Sequence, residues 1–209
     1  MTDLAEISKI VFNAMSAEVD SIAATKDLID ENSFYQAAIA IMNANCIATC
    51  GCGHSGIACM HFAHSLCCVE RSARFLSPSE ALHGASGFLK KDDVMIFASR
   101  GGETDELFPI MDICKAKGVK IISVTENRDS KLAMLSDLVL SIKIVREADR
   151  DNCQGTSSFV ATCSVFDALQ SVIIELSDYR KNQFALIHPG GAVGKRLNKK
   201  EVDTDEKNP

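Results

Sequence analysis

The chain has 209 residues, 46% of them hydrophobic, with a net charge of -6 at pH 7 and a sequence pI near 5.4. Affinity for nucleic acid depends largely on clustered Lys and Arg, so this net negative charge argues against a protein that binds the phosphate backbone of DNA or RNA. No run of 18 or more apolar residues appears, and the start MTDLAEISK carries acids where a signal peptide carries basic residues, which predicts a cytoplasmic protein with no membrane partner.

The first thirty residues predict one long helix with a single apolar stripe, because apolar side chains recur at steps of three and four. The stripe consists of Leu4, Ile7, Val11, Met15, Val19, Ile22 and Ile29. It suits packing on a partner subunit as well as on the protein's own core. A second helix is predicted over 34–44.

Short apolar runs then alternate with helical segments. The runs predict strands at 46–50, 73–76, 94–99, 120–125 and 138–143. Helices are predicted at 56–70, 104–117, 130–136 and 157–177. Strands that are apolar throughout, with helices between them, indicate a parallel sheet covered on both faces. The predicted fold class is therefore α/β, a doubly wound three-layer αβα sandwich with a five-stranded parallel sheet.

The segment 157–177 is apolar on nearly all sides, which predicts a central, buried helix. The organisation expected is a single domain over 1–197. The remaining residues, 198–209, are polar and without apolar spacing, so we expect a disordered tail.

The first predicted strand leads into Gly51-Cys52-Gly53-His54-Ser55-Gly56, an unusual turn of glycines and reactive side chains. A metal site would use Cys50, Cys52 and His54, but no second Cys/His pair with ligand spacing follows, and the Cys-x-x-Cys pattern of a redox site is absent. Nine cysteines in a cytoplasmic chain indicate small core residues. We therefore predict no metal and no cofactor, and an anion-binding turn in which Ser55 donates.

The loop after the strand 94–99 reads Arg100-Gly101-Gly102-Glu103-Thr104-Asp105-Glu106. Two glycines followed by a hydroxyl suit an anion at a helix start, with Thr104 as the donor. The three acids fit equally well as ordinary partners of the helix dipole.

The loop after the last strand places Glu147 ahead of the hydroxyl cluster Thr156-Ser157-Ser158. That cluster either caps the following helix or binds phosphate oxygens. Further on, FALIHPGGAVGKRL (184–197) is predicted to be neither regular helix nor strand, which leaves His188 on a loop with a site role and a surface role equally open.

These motifs resemble the sugar isomerase (SIS) domain family and, within it, the arabinose 5-phosphate isomerases of lipopolysaccharide and capsule pathways. The matching stretches, in family order, are GCGHSG, SRGGETDE, VREAD, TSS and HPGGAVGKRL. The resemblance spans about 5–197 and implies a homotetramer with sites at subunit boundaries, acting on a small phosphosugar. Many members continue into a pair of CBS modules at the point where this sequence ends, so we expect a stand-alone catalytic domain.

Site residues are carried over from the resemblance. Phosphate and hydroxyl contacts are implied for Ser55, Ser99, Thr104, Thr156, Ser157 and Ser158. Glu106 and Glu147 match the family's site carboxylates, and His83 matches a site histidine. His188 matches an imidazole contributed by a neighbouring subunit.

The chain departs from the family at two positions. His54 stands where members usually carry lysine, and Gly101 stands where they carry a second serine. Arg100 is predicted to restore the attraction for phosphate, because a guanidinium is bidentate and always charged.

The implied reaction interconverts arabinose 5-phosphate and ribulose 5-phosphate through an enediol, which needs a base and an electrophile on the carbonyl oxygen. We assign Glu147 as the base and His188 to ring opening. His54 and Glu106 polarise the oxygens or move their protons. Two alternatives stay open: a non-catalytic sugar-phosphate sensor on the same fold, and an isomerase of another phosphosugar such as a hexulose or heptulose phosphate.

Overall fold

Five parallel strands form one sheet in the order β2-β1-β3-β4-β5, in a computed structural model that describes residues 3–198. The strands are β1 Ile47–Gly51, β2 Ala73–Phe75, β3 Val94–Ala98, β4 Lys120–Thr125 and β5 Leu138–Ser141. Every residue of β1 and of β3 is buried, as expected for strands covered on both faces. The predicted five-stranded parallel sheet is confirmed.

Helices cover both faces of the sheet. They are α1 Leu4–Lys26, α2 Glu31–Asn43, α3 Gly53–Cys67, α4 Pro78–Leu82, α5 Phe108–Lys117, α6 Lys131–Leu135, α7 Ser157–Ser177, α8 Lys181–Ile187 and α9 Gly191–Leu197. One core lies between the sheet and α2, α3 and α7, where the rings of Phe62 and Phe166 stack with centroids 4.3 Å apart. The second core lies between the opposite face and α4, α5 and α6.

The strand order fixes where a ligand can bind. From β1 the chain crosses to β2 on one side and then to β3 on the other, and Gly51 of β1 pairs in register with Ala98 of β3. The loops that leave β1 and β3 therefore diverge at a topological switch point, and a crevice opens there at the carboxyl edge of the sheet.

Helix α7 is central but less buried than its composition indicated. It packs against α1, α2 and α3, yet only 33% of its most apolar 18-residue window is buried. By length and composition α7 would suffice to cross a membrane, a property shared by core helices of water-soluble proteins.

Helix α1 turns its apolar stripe outwards. Met15 is 64% exposed and Val19 is 62% exposed, while the face against the protein buries the small residues Ala17, Ser21 and Thr25. The Thr25 hydroxyl donates to the carbonyl of Lys143 at 3.1 Å and accepts from its N–H at 2.9 Å. The stripe therefore does not serve the protein's own core, and the buried face anchors the chain just after β5.

Two expectations about local structure are corrected. The segment 184–197 contains helical residues of α8 and α9, and only His188, Pro189 and Gly190 between them are irregular. Helix α4 was not predicted, because five residues are too few for apolar periodicity, although its N-cap Ser77 followed by Pro78 is a recognisable start signal. Most of the predicted tail lies outside the described residues.

Candidate active site

The turn between β1 and α3 is among the tightest in the fold. A Cβ at Gly56 would lie 2.6 Å from the carbonyl oxygen of Gly51, so only glycine permits this approach. Helix α3 begins at Gly53, and no side chain caps its first turn. The free N–H groups of that turn face the carboxyl edge of the sheet, with half-buried Ser55 among them.

Burial disfavours the thiolate form of both cysteines near this turn. Cys50 is fully buried in the core on the α5 side, and burial raises the pKa of its thiol to about 12. Burial also raises the pKa of Cys52, and the negative charge of Glu106 raises it further. Among residues 3–198 no group of three or more Cys, His, Asp or Glu side chains is placed to hold a metal ion. The effect on Cys52 locates Glu106 beside the turn.

The loop after β3 brings two predicted hydroxyls together. Ser99 Oγ lies 2.8 Å from Thr104 Oγ1 and accepts a hydrogen bond from the N–H of Gly102 at 3.1 Å. Gly102 has a φ of +70°, and a Cβ there would lie 2.0 Å from Ser130 Oγ. This glycine packs the loop against Ser130 at the start of α6 and Thr125 at the end of β4.

His54 lies between the α3 turn and the start of α7. A Cβ at Gly155 would come within 3.1 Å of His54 Nδ1, and the Phe159 ring meets the imidazole edge-on with centroids 6.3 Å apart. The imidazole is exposed on its other side. It is thus placed where a ligand in the crevice would meet it.

Glu147 is the most constrained carboxylate in the site. Its side chain is 2% exposed, and Oε2 accepts hydrogen bonds from the Thr156 N–H at 2.9 Å, the Thr156 hydroxyl at 3.1 Å and the Ser158 N–H at 3.1 Å. Oε1 accepts from Arg100 Nη1 at 2.7 Å. The Thr156 side chain does not cap α7. The carboxylate of Glu147, which belongs to the preceding loop, caps the helix by accepting from its first N–H groups.

Burial alone would raise the pKa of Glu147, since it disfavours the charged form. The hydrogen bonds from Ser158 and Thr156 outweigh that effect and hold the pKa below its ordinary value. Glu147 is therefore an anion at neutral pH. Thr156 and Ser158, from the hydroxyl cluster that was predicted either to cap α7 or to bind phosphate, bond to Glu147 in this structure. Ser157 Oγ is buried and has no hydrogen-bond partner among residues 3–198.

Arg100 lies between two carboxylates. Besides Glu147, its guanidinium donates from Nε to Glu126 Oε2 at 3.0 Å. Glu126 also accepts from the Ile144 N–H at 3.1 Å and lies 3.3 Å from Lys143 Nζ. Sequence reasoning missed Glu126, although its position directly after β4, at the carboxyl edge, was an available signal. The expected phosphate contact of Arg100 stays a prediction, and it would require the guanidinium to share or leave these partners.

The remaining two predicted residues are placed differently. His83 follows directly after α4, which packs against the short 3-10 helix Asp105–Leu107 that carries Glu106. The ring centroids of His188 and Phe184 lie 5.0 Å apart. Phe184 lines a hollow together with Cys68, the residue that follows the last residue of α3. Since the fifteen residues of α3 span roughly 22 Å, His188 does not reach the site of its own chain.

Comparisons with known proteins show similarity in sequence and in fold. The family model described as SIS domain matches residues 40–172. The arabinose 5-phosphate isomerase KdsD of Pseudomonas aeruginosa is 34% identical over 151 residues, which cover 72% of this chain and 46% of the relative. The chain spans about half the length of the curated relatives it matches first.

Two solved structures share the fold over nearly the whole chain. A candidate sugar-phosphate isomerase from Listeria monocytogenes is 35% identical with a TM-score of 0.87, covering 91% of this chain and 100% of its own. A protein of Escherichia coli CFT073, solved in complex with A5P, is 26% identical with a TM-score of 0.83, covering 90% of this chain and 100% of its own.

Proposed function

The chain belongs to the SIS domain family, and on that premise we propose that it is an aldose-ketose isomerase that interconverts D-arabinose 5-phosphate and D-ribulose 5-phosphate. The observation that carries the proposal is Glu147, an ionised carboxylate held at the start of α7, where His54 also packs. An isomerase needs a fixed base, whereas a sugar-phosphate sensor needs only donors for the ligand's oxygens.

The phosphate end of the substrate is assigned to two loops. The uncapped first turn of α3 with Ser55 supplies N–H and hydroxyl donors, and the paired hydroxyls of Ser99 and Thr104 supply two more. Both loops leave adjacent strands at the switch point, so one phosphate contacts both.

The chemical steps follow from what the reaction must move. Glu147 takes the proton from C2 of the open-chain aldose, and the freed electron pair forms the C1–C2 double bond while the carbonyl oxygen on C1 gains a proton. The resulting enediol loses the proton on O2 and regains one at C1 from Glu147, which yields the ketose. His54 and Glu106 supply and remove the protons on the two oxygens.

A second copy of the chain completes the site in this proposal. His188 lies at the far end of α3 from Glu147, so it opens the sugar ring bound by a neighbouring subunit. The exposed apolar stripe of α1 supports association, because single soluble chains rarely leave such a surface uncovered. We infer a homotetramer.

The substrate is tested by turnover of a panel: arabinose 5-phosphate, ribose 5-phosphate and a hexulose 6-phosphate, compared by kcat/KM. The proposal predicts the highest value for arabinose 5-phosphate. A higher value for the hexulose phosphate would keep the reaction class and overturn the substrate.

A further inference from the structure

The Arg100 guanidinium bridges two carboxylates that come from different loops. Its Nε donates to Glu126 after β4, and its Nη1 donates to Glu147 ahead of α7. The main chain of the same residue is fixed as well, because its carbonyl accepts from the Glu126 N–H at 2.9 Å and from the Thr125 hydroxyl at 2.9 Å. Both the main chain and the side chain of Arg100 are therefore hydrogen-bonded to residues at the carboxyl end of β4.

We propose that Arg100 is a positioning residue, which fixes the carboxylate of Glu147 by pairing with it and with Glu126 at the same time. The inference rests on the proposed role of Glu147 as the base. It gives Glu126 a function as well: this carboxylate orients the guanidinium and shares its charge.

The geometry requires arginine. Two donors on one planar group must point at two carboxylates on different loops, and a guanidinium provides them in a fixed fork. A lysine ammonium keeps the charge and has three donors, but it lacks the rigid planar fork that fixes the directions of both bonds.

Loss of Arg100 and loss of the Glu126 charge should shift the pKa of Glu147 in opposite directions. Without Arg100, the nearly buried carboxylate of Glu147 loses its cation and protonates more readily. Without the charge of Glu126, a negative charge near Glu147 is lost and Arg100 no longer has a second anion to neutralise it. Glu147 then protonates less readily. A purely structural contact would not produce opposite responses.

Other charged groups surround the pair. Arg146 donates from Nε to the backbone carbonyl of Glu147 at 3.1 Å, and Lys143 pairs with Glu126 at 3.3 Å. From α3, His54 lies against Gly155 at the start of α7. These groups remain in every variant below, so they do not account for a difference between variants.

The test is a titration of the Glu147 side-chain carboxyl carbon by NMR in ligand-free, full-length protein, with the signal assigned from E147Q. In R100Q the midpoint is expected to rise by about one pH unit or more. In E126Q it should fall, and in R100K it should lie between wild type and R100Q. The exposed Arg128, which contacts Ser141 at the same edge, supplies the control R128Q with an unchanged midpoint.

An unchanged midpoint in R100Q, or a rise in E126Q as large as in R100Q, would overturn the inference. Because the titration needs no turnover, it tests the role of Arg100 even if arabinose 5-phosphate is not the substrate. Where turnover is found, the acid limb of kcat/KM should move in the same direction as the NMR midpoint. A loss of kcat without any shift of that limb would count against positioning.

Discussion

The imidazole of His54 packs against Gly155, although the two residues are a hundred positions apart in the chain. A Cβ at position 155 would lie 3.1 Å from Nδ1, 3.2 Å from Cγ and 3.3 Å from Cβ of the histidine. Gly155 thus leaves room for the imidazole at the first turn of α3.

The first prediction tests that contact. In Gly155→Ala the exposed imidazole must shift by a few tenths of an ångström, so the free energy of unfolding should change little. Turnover should fall roughly tenfold, because displaced site groups lose alignment. Gly87→Ala, at a site with nothing within 4 Å of the new Cβ, is the matched control and should leave kcat unaltered. Equal kcat values for the two variants would contradict a working role for His54.

The second prediction compares neighbouring glycines in the loop after β3. Gly102→Ala should cost about 2 kcal/mol or more in urea unfolding, because φ is +70° and the new Cβ collides with Ser130. Gly101→Ala meets open space and should change stability by no more than about 0.5 kcal/mol. Similar losses in the two variants would show that the loop does not fold onto Ser130.

The third prediction concerns acid stability. The pKa of Glu147 and that of Glu126 both lie below their ordinary value of 4.5 in the fold. The unfolded chain therefore takes up protons first, so this stabilisation is complete above pH 4.5 and is lost as the pH falls through the folded pKa values. Between pH 5 and 3 the unfolding free energy should fall less steeply in E147Q than in wild type. The exposed carboxylate of Glu103 provides the control E103Q, and a wild-type slope in E147Q would contradict the assigned ionisation.

The fourth prediction concerns subunit sharing. Glu147 and His188 lie at opposite ends of α3, so E147Q and H188Q should each be nearly inactive but should complement each other. Random co-assembly of equal amounts should give about a quarter of the sites both native residues, and hence about a quarter of wild-type activity. Mixing either variant with the double variant should restore nothing. No recovery in verified mixed oligomers would place both residues in one subunit's site.

Much of the fold was predictable because buried parallel strands appear as unbroken apolar runs. The sequence also placed the candidate loops at the carboxyl ends of the strands, whereas the strand order and its switch point came from the structure. By contrast, the residues around His188 were predicted to be irregular because Pro189 and Gly190 dominate the local pattern. The helices on either side are only seven residues each, too short for a clear apolar period.

The carboxylate network was not predictable from the sequence. Arg100, Glu126 and Glu147 are separated by 26 and then 21 positions, and their contacts depend on how three loops meet at the sheet edge. Sequence reasoning assigned Arg100 to phosphate because a guanidinium is bidentate and always charged, properties that suit a carboxylate equally well. Which anion a guanidinium meets depends on tertiary structure.

The most direct measurement is to incubate the protein with arabinose 5-phosphate, with and without a chelator, and to follow ribulose 5-phosphate by NMR alongside E147Q. Conversion by the wild-type protein should survive chelation, and it should fall at least about a hundredfold in E147Q, the usual loss when a general base is removed. Saturable binding of the sugar phosphate with no conversion in wild type, or undiminished conversion in E147Q, would contradict this expectation.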